Sequence, residues 1–320
     1  MADYSGAYKS QILTRQSLQH NNKDLGFIHE KIAPPIQVIK QSADILTYSA
    51  DNLRIHNTLR AVGGGSFTVD FSTSVASAYK LEDHGVNTYI AQEDYDNSEK
   101  PINVQFDTVD ILTEMLQVAK EYALSSVLQA TGSYTNSITL AGADQWSESA
   151  TSDPIDDIRT AIRTIKTANG KRANTIILAE DTMWYLIFHP QIKDLFPGAS
   201  QITGDMLVNG LKMIFPGIKQ VLNGGAVYNN ANKGASVDIT ELWSKTCIVA
   251  YVELTPRLKS RTFATTYQKG SPREVIMLPW KKGSDKDLVD RKSDWIKISD
   301  EYDQVLVDET CGYLIDAAIA

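Results

Sequence analysis

The residues of this 320-residue chain that could do chemistry are its histidines, cysteines, serines and clustered carboxylates. Their spacing argues against most of that chemistry. His29–Glu30 opens like the H-E-x-x-H helix in which two imidazoles one turn apart hold zinc, but Ala33 stands where the second ligand would be. The five histidines, His20, His29, His56, His84 and His189, fall in five different elements without ligand spacing, so surface or hydrogen-bonded roles are expected. The run Gly63-Gly64-Gly65-Ser66 lacks the Gly-Lys-Ser/Thr ending of a phosphate loop, and Thr68 breaks a G-x-S-x-G nucleophile elbow. Glu93, Asp94, Asp96 and Glu99 are the densest carboxylates; they lack the glycine and ligand register of a calcium loop and read as a solvated turn. Cys247 sits in an apolar run and Cys311 has no basic neighbour, so both are expected to be buried, inert thiols. No catalytic residue, metal ligand or cofactor is expected.

Composition bounds the rest. At 35.4 kDa, with 42% hydrophobic and 22% charged residues, the chain has roughly two domains' worth of ordinary globular sequence. Two cysteines cannot make a disulfide framework, which suits a reducing compartment. No leader or membrane-spanning run is expected. A net charge of -8 argues against a nucleic-acid binder, and its distribution is uneven. Residues 61–160 carry 4 basic against 16 acidic residues, whereas residues 161–260 carry 11 against 7. The acidic quarter is either a solvated face or one of two complementary surfaces that meet between subunits.

The elements that must carry these residues follow from periodicity. Residues 1–30 read as a polar, irregular arm with too little apolar surface to fold alone. Pro34–Pro35 forces an extended entry to a short strand-like run through Ile36, Val38 and Ile39. After the glycine hinge 63–65, Phe67, Val69 and Phe71 alternate with polar residues. That pattern predicts one strand of a ribbon whose return is 86–92, a hairpin over 63–100 that needs another surface to lie on. A long helix follows, capped by Asp107 and running to Gly132. A second is capped by Asp153, has Pro154 in its first turn and ends at Asn169–Gly170. Residues 174–179 read as a buried strand, Glu180 starts a short helix stopped by Pro190, and Thr203 starts another stopped by Pro216. Residues 242–254 and the chain beyond 261 are β-rich. Trp146, Trp184, Trp243, Trp280 and Trp295 read as packing anchors. Helices and strands that do not alternate regularly predict an α+β fold.

Three segments in this order, IAPPIQVIKQSADILTYSADNLRI, DTVDILTEMLQVAKEYALSSVLQA and DPIDDIRTAIRTIKTANGKRANTIILAEDTMWYLIFHPQIKDLF, followed by LWSKTCIVAYVELTPRLKSRTFATTYQKG, resemble the tailed-bacteriophage major capsid proteins from about residue 31 to the end. The resemblance implies residues 1–62 as N-arm and lead-in, 63–100 as an E-loop across a neighbouring subunit, and 101–145 with 256–302 as a P-domain. Its spine helix would be 107–131, and 146–255 with 303–320 would form a mixed A-domain. It further implies self-assembly as pentamers and hexamers into an icosahedral shell around double-stranded DNA, in the virion after assembly in the host cytoplasm. The partners so implied are further copies of the chain, a portal protein, and a separate scaffolding protein or an arm that does that job itself, with no membrane; decoration proteins are neither required nor excluded by the resemblance. Interface residues would be Phe67, Val69, Phe71, Tyr79 and Lys80; the first three are equally read as the hairpin's own packing face. Some members weld subunits through an E-loop lysine and a P-domain asparagine. Lys80 is present, but no asparagine follows Asn232, so no covalent mesh is expected. Three other readings remain: an encapsulin-type shell around enzymes, a tail or neck ring protein, and a soluble α+β enzyme with a cleft around Glu93, Asp94 and Asp96.

Overall fold

The computed structural model describes residues 7–20, 26–60, 62–98, 103–196, 201–255, 257–270, 273–281 and 286–320. Among these, two sheets share one long helix, and a two-stranded ribbon projects from the first sheet.

The helix is Val104–Leu128, about 37 Å long at 1.5 Å per residue. Its cap is Asn103, not Asp107: the Asn103 side chain accepts from the amides of Gln105 and Phe106, and Asp107 lies inside the first turn. Val109, Leu112, Leu116, Leu124 and Leu128 recur at helical spacing and are all buried.

The first sheet has six strands, and its axis is the 14-residue strand Ser293–Leu306. That strand pairs antiparallel with Glu274–Leu278 and Ala264–Lys269 along one edge and with Glu82–Ala91 along the other. Tyr8–Lys9 and Pro35–Val38 complete the sheet. Period-two alternation turns Ile296 and Ile298 toward the helix, where they pack with Leu13, Ile90, Val109, Leu112 and Val275. The same alternation turns Asp300 inward. The arm expected to be irregular is folded against this core. Ser10 caps the helix Gln11–Gln19, which lays Leu13 and Ser17 on the long helix, and Thr113 donates to Ser17.

The ribbon differs from the hairpin expected over 63–100. Thr73–Lys80 pairs with Ser42–Tyr48, and the presumed return strand 86–92 belongs instead to the sheet, in Glu82–Ala91. Phe67, Val69 and Phe71 lie outside any strand, and the glycines sit in the ribbon's distal loop and do not hinge its base. Alternation over three residues marked an extended segment correctly but could not say which partner it had. Val38, Ile45, Tyr79, Leu81, Tyr267 and Val307 root the ribbon on the sheet.

The second sheet runs Ser137–Thr139, Gly312–Asp316, Cys247–Ala250, Thr175–Ala179, Gln220–Gly224. Every residue of Thr175–Ala179 is buried because both faces are covered. Ile176 and Leu178 pack with Ile158, Ile165, Leu186 and Leu211 from three helices; Ile177 and Ala179 face Trp243, Phe263 and the end of the long helix. The helix Pro154–Asn169 is capped by Asp153 and closed by Gly170 at φ 74°, as its sequence predicts. The helix Glu180–Phe188 ends before Pro190, which starts a further turn, and Thr203 caps Gly204–Ile214. The chain stays in the first sheet through Leu306, beyond the boundary expected after residue 302, and Ser137–Thr139 already belongs to the second.

Candidate functional site

The residues with chemical potential are engaged in holding the fold together. Glu121, fully buried on the long helix, accepts from the Ile28 amide at 3.2 Å, the His29 amide at 2.8 Å, His29 Nδ1 at 2.8 Å and Trp243 Nε1 at 2.7 Å. One carboxylate thus ties the end of the arm to the helix and to the second sheet. One position earlier, Lys120 pairs with Asp300 and lies over the Tyr302 ring. Burial pushes the lysine's pKa down and the carboxyl's up, and each opposes that shift in the other. Neither pair was anticipated; the signal was adjacent charges on the buried stripe of an otherwise apolar helix.

A buried serine–histidine pair joins Ser152 Oγ and His189 Nε2 at 3.1 Å. His189 Nδ1 accepts from the Gln191 amide, which leaves the proton on Nε2, and Ser152 donates to the Glu148 carbonyl. The serine therefore receives the histidine's proton bond, the reverse of a nucleophile facing its base. His20 bonds Glu114, His56 stacks on Phe67 and His84 stacks on Tyr302, so the histidines are partnered as expected. Both cysteines are buried and free, with thiol pKa values pushed well up by desolvation. Among the described residues no group of three or more His, Cys, Asp or Glu could hold a metal, and no helix is long and apolar enough to cross a membrane.

Glu93, Asp94 and Asp96 lie on a short exposed α-helix, Gln92–Asn97, where an irregular solvated turn was expected, while Glu99 falls outside the described residues. Asp94 accepts from the Ala91 amide and Asp96 from the Gln92 side chain. Of the three only Asp94 lines the neighbouring hollow, so they do not converge in a cleft.

The surface is where the chain is unfinished. Beyond Tyr48 and Thr73 the ribbon opens into a loop closed by Asn52, whose side chain bonds the Ser72 backbone in both directions. In that loop Leu53, Ile55, Leu59, Val62, Phe67 and Phe71 are exposed, Ile55 and Val62 completely. Of the residues expected at the interface, Phe67, Val69, Phe71 and Lys80 are exposed. Tyr79 is not: it is 6% exposed and stacks on Tyr267 at 4.5 Å, because its position in the ribbon faces the sheet. A second apolar strip runs along the outer side of the long helix through Ile111, Met115 and Tyr122. A third joins Trp184, Tyr185 and Phe188 on one helix face, so Trp184 is not the packing anchor expected. Contiguous apolar surface of this kind marks interaction sites.

No family model matches the chain. It is 24% identical over 312 residues to the major capsid protein of Burkholderia phage BcepMu, covering 95% of this chain and 94% of that protein. It is 26% identical over 247 residues to the major capsid protein of Pseudomonas phage JBD67, covering 76% and 78%. Among solved structures, a phage-related protein from Bordetella bronchiseptica RB50 superposes with a TM-score of 0.75 at 22% identity over 97% of both chains. The capsid structure of cyanophage P-SCSP1u gives 0.52 at 10% identity over 92% and 89%, and a virus-like particle from Pyrococcus furiosus gives 0.53 at 12% over 96% and 99%. The resemblance read from the sequence is thus borne out, and the fold is the α+β fold of tailed-bacteriophage major capsid proteins.

Proposed function

We propose that the chain is the major capsid subunit of a tailed bacteriophage, assembling as pentamers and hexamers into an icosahedral shell around double-stranded DNA. The observation that carries this reading is the ribbon loop 49–72, in which seven large apolar side chains are exposed. Each would gain about 1.5–3 kcal/mol on full burial, a gain available only from another molecule. In this reading the ribbon 42–80 is the E-loop and lies on a neighbouring copy. The first sheet and long helix form the P-domain, and the second sheet forms the A-domain. Glu121 ties the long helix to the second sheet, the Lys120–Asp300 pair ties it to the first, and the Tyr79–Tyr267 stack roots the ribbon, so that many modest interfaces add up in register. A separate scaffolding protein, a portal and decoration proteins complete the particle.

The test is expression of the chain alone, followed by sedimentation and electron microscopy. Uniform closed shells support the proposal, and five- or six-fold rings support it with a scaffold missing. A monomer at all concentrations overturns it. Boiling shells in detergent should release single chains, because no asparagine follows Asn232 and the strands Ala264–Lys269, Glu274–Leu278 and Ser293–Leu306 therefore offer a lysine none to attack. The likeness to a virus-like particle keeps one alternative, a shell around protein cargo. Particles purified from their natural source separate the two by containing DNA or a companion enzyme.

A further inference from the structure

We infer that a basic groove at one end of the first sheet receives the acidic helical turn Gln92–Asn97 of a second copy, a head-to-tail contact that rests on the shell reading above. The groove, of about 670 Å³, lies between the ribbon base and the passage from the second sheet to the first. Lys171, Arg257, Lys259 and Arg261 line it, with Glu253. Arg261 is neutralised by Asp308, and Glu253 accepts from the Tyr251 hydroxyl at 2.9 Å. Lys171 rests 5.4 Å from the Tyr251 ring centre. Arg257 and Lys259 are exposed and meet no carboxylate among the described residues. The turn presents Glu93, Asp94 and Asp96 outward. Its nearby cations do not neutralise it: Lys281 lies over Trp280 and Arg291 over Tyr89.

The two patches cannot meet within one chain. The turn follows Ala91, which pairs with Ser293 at the start of the long strand, whereas Arg261 bonds Asp308, just past its end. Fourteen extended residues separate them by about 40 Å. Opposite charges at opposite ends of a rigid element satisfy each other between neighbours, and a repeated head-to-tail contact closes into rings. The other carboxylate-rich region, 144–157, is a poorer occupant: Asp153 caps a helix, Asp156 pairs with Arg159, and Asp157 accepts from Trp146.

The test is charge exchange. Arg257→Glu with Lys259→Glu reverses the groove, and Glu93→Lys with Asp96→Lys reverses the turn while leaving Asp94 to hold the Ala91 amide. Each pair should raise the concentration needed for self-association roughly tenfold at low salt, since several exposed ion pairs each contribute a few-fold. All four changes together should restore the parent value. Neutral variants, Arg257→Gln with Lys259→Gln, should instead flatten the salt dependence of association. Parent-like association by either reversal, no rescue by the fourfold variant, or an unchanged salt slope in the neutral variant each overturns the contact. Thermal melts of the free chains identify any reversal that fails to fold; the neutral variant then decides. Rings of a number other than five or six that obey the exchange, with no closed shell, would uphold the contact and overturn only the shell reading. A parent that stays monomeric at low salt overturns both.

Discussion

Replacing Phe71 with serine separates folding from assembly. Phe71 is 78% exposed in the free chain and lies outside any strand, so Phe71→Ser removes almost no intramolecular contact. The melting temperature of the unassembled chain should hold, with a stability change within about 0.5 kcal/mol. If a neighbour buries the ring, the same change forfeits about 2 kcal/mol per subunit. At 1.4 kcal/mol per tenfold, the concentration at which particles appear should rise roughly 30-fold. Sedimentation across a dilution series reads that threshold directly. Tyr79→Ser gives the reverse pattern, because that ring is 6% exposed and stacked on Tyr267. It should cost about 3 kcal/mol and lower the melting temperature by roughly 5 °C in a chain of this length. An unchanged threshold for Phe71→Ser refutes the idea that the loop is an assembly element. A lowered melt for the free Phe71→Ser chain refutes the exposed placement itself.

Three other outcomes test the framework. Glu121→Leu strands four buried donors, so it should destabilise the chain by more than about 3 kcal/mol, with proteolysis reaching residues 28–33 first. Burial raises the hydroxyl pKa of Tyr95, Tyr251 and Tyr267 to about 12. The folded state then binds more protons than the unfolded one between pH 10 and 12, and stability present below pH 10 is lost as pH rises through that window. Phenolate absorbance from these residues should appear with unfolding and not before it. The Cys247 and Cys311 thiols, buried and pushed up, should resist an aromatic disulfide reagent in the native chain and both react in denaturant. Reaction of either in the native state would contradict its burial.

The helices were the most legible part, because a helix announces itself locally. Asp153, Pro154 and Gly170 set the ends of one through caps and turn geometry needing no distant partner. The long helix was placed, but its cap moved to Asn103 because two acceptable capping residues lie four positions apart. Strands were legible as extended segments only. Phe67, Val69 and Phe71 alternate as a strand should, yet their segment forms no ladder, while Thr73–Lys80, with weaker alternation, pairs from end to end around one bulge at Ala76. Backbone pairing is satisfied by whichever strand arrives, so the local pattern cannot name it.

From its own residues the sequence determined the absence of familiar catalytic spacing, the α+β character, the two principal helices and the uneven charge. Those properties depend on composition and on contacts within a few residues. The tertiary structure alone decided that Glu121 gathers four donors, that Asp300 meets Lys120, and that Tyr79 turns inward while Phe67 and Phe71 remain outside. Each depends on which face of a strand or helix is covered by a segment far away in the chain. The desolvation that makes these groups matter exists only once those segments have met.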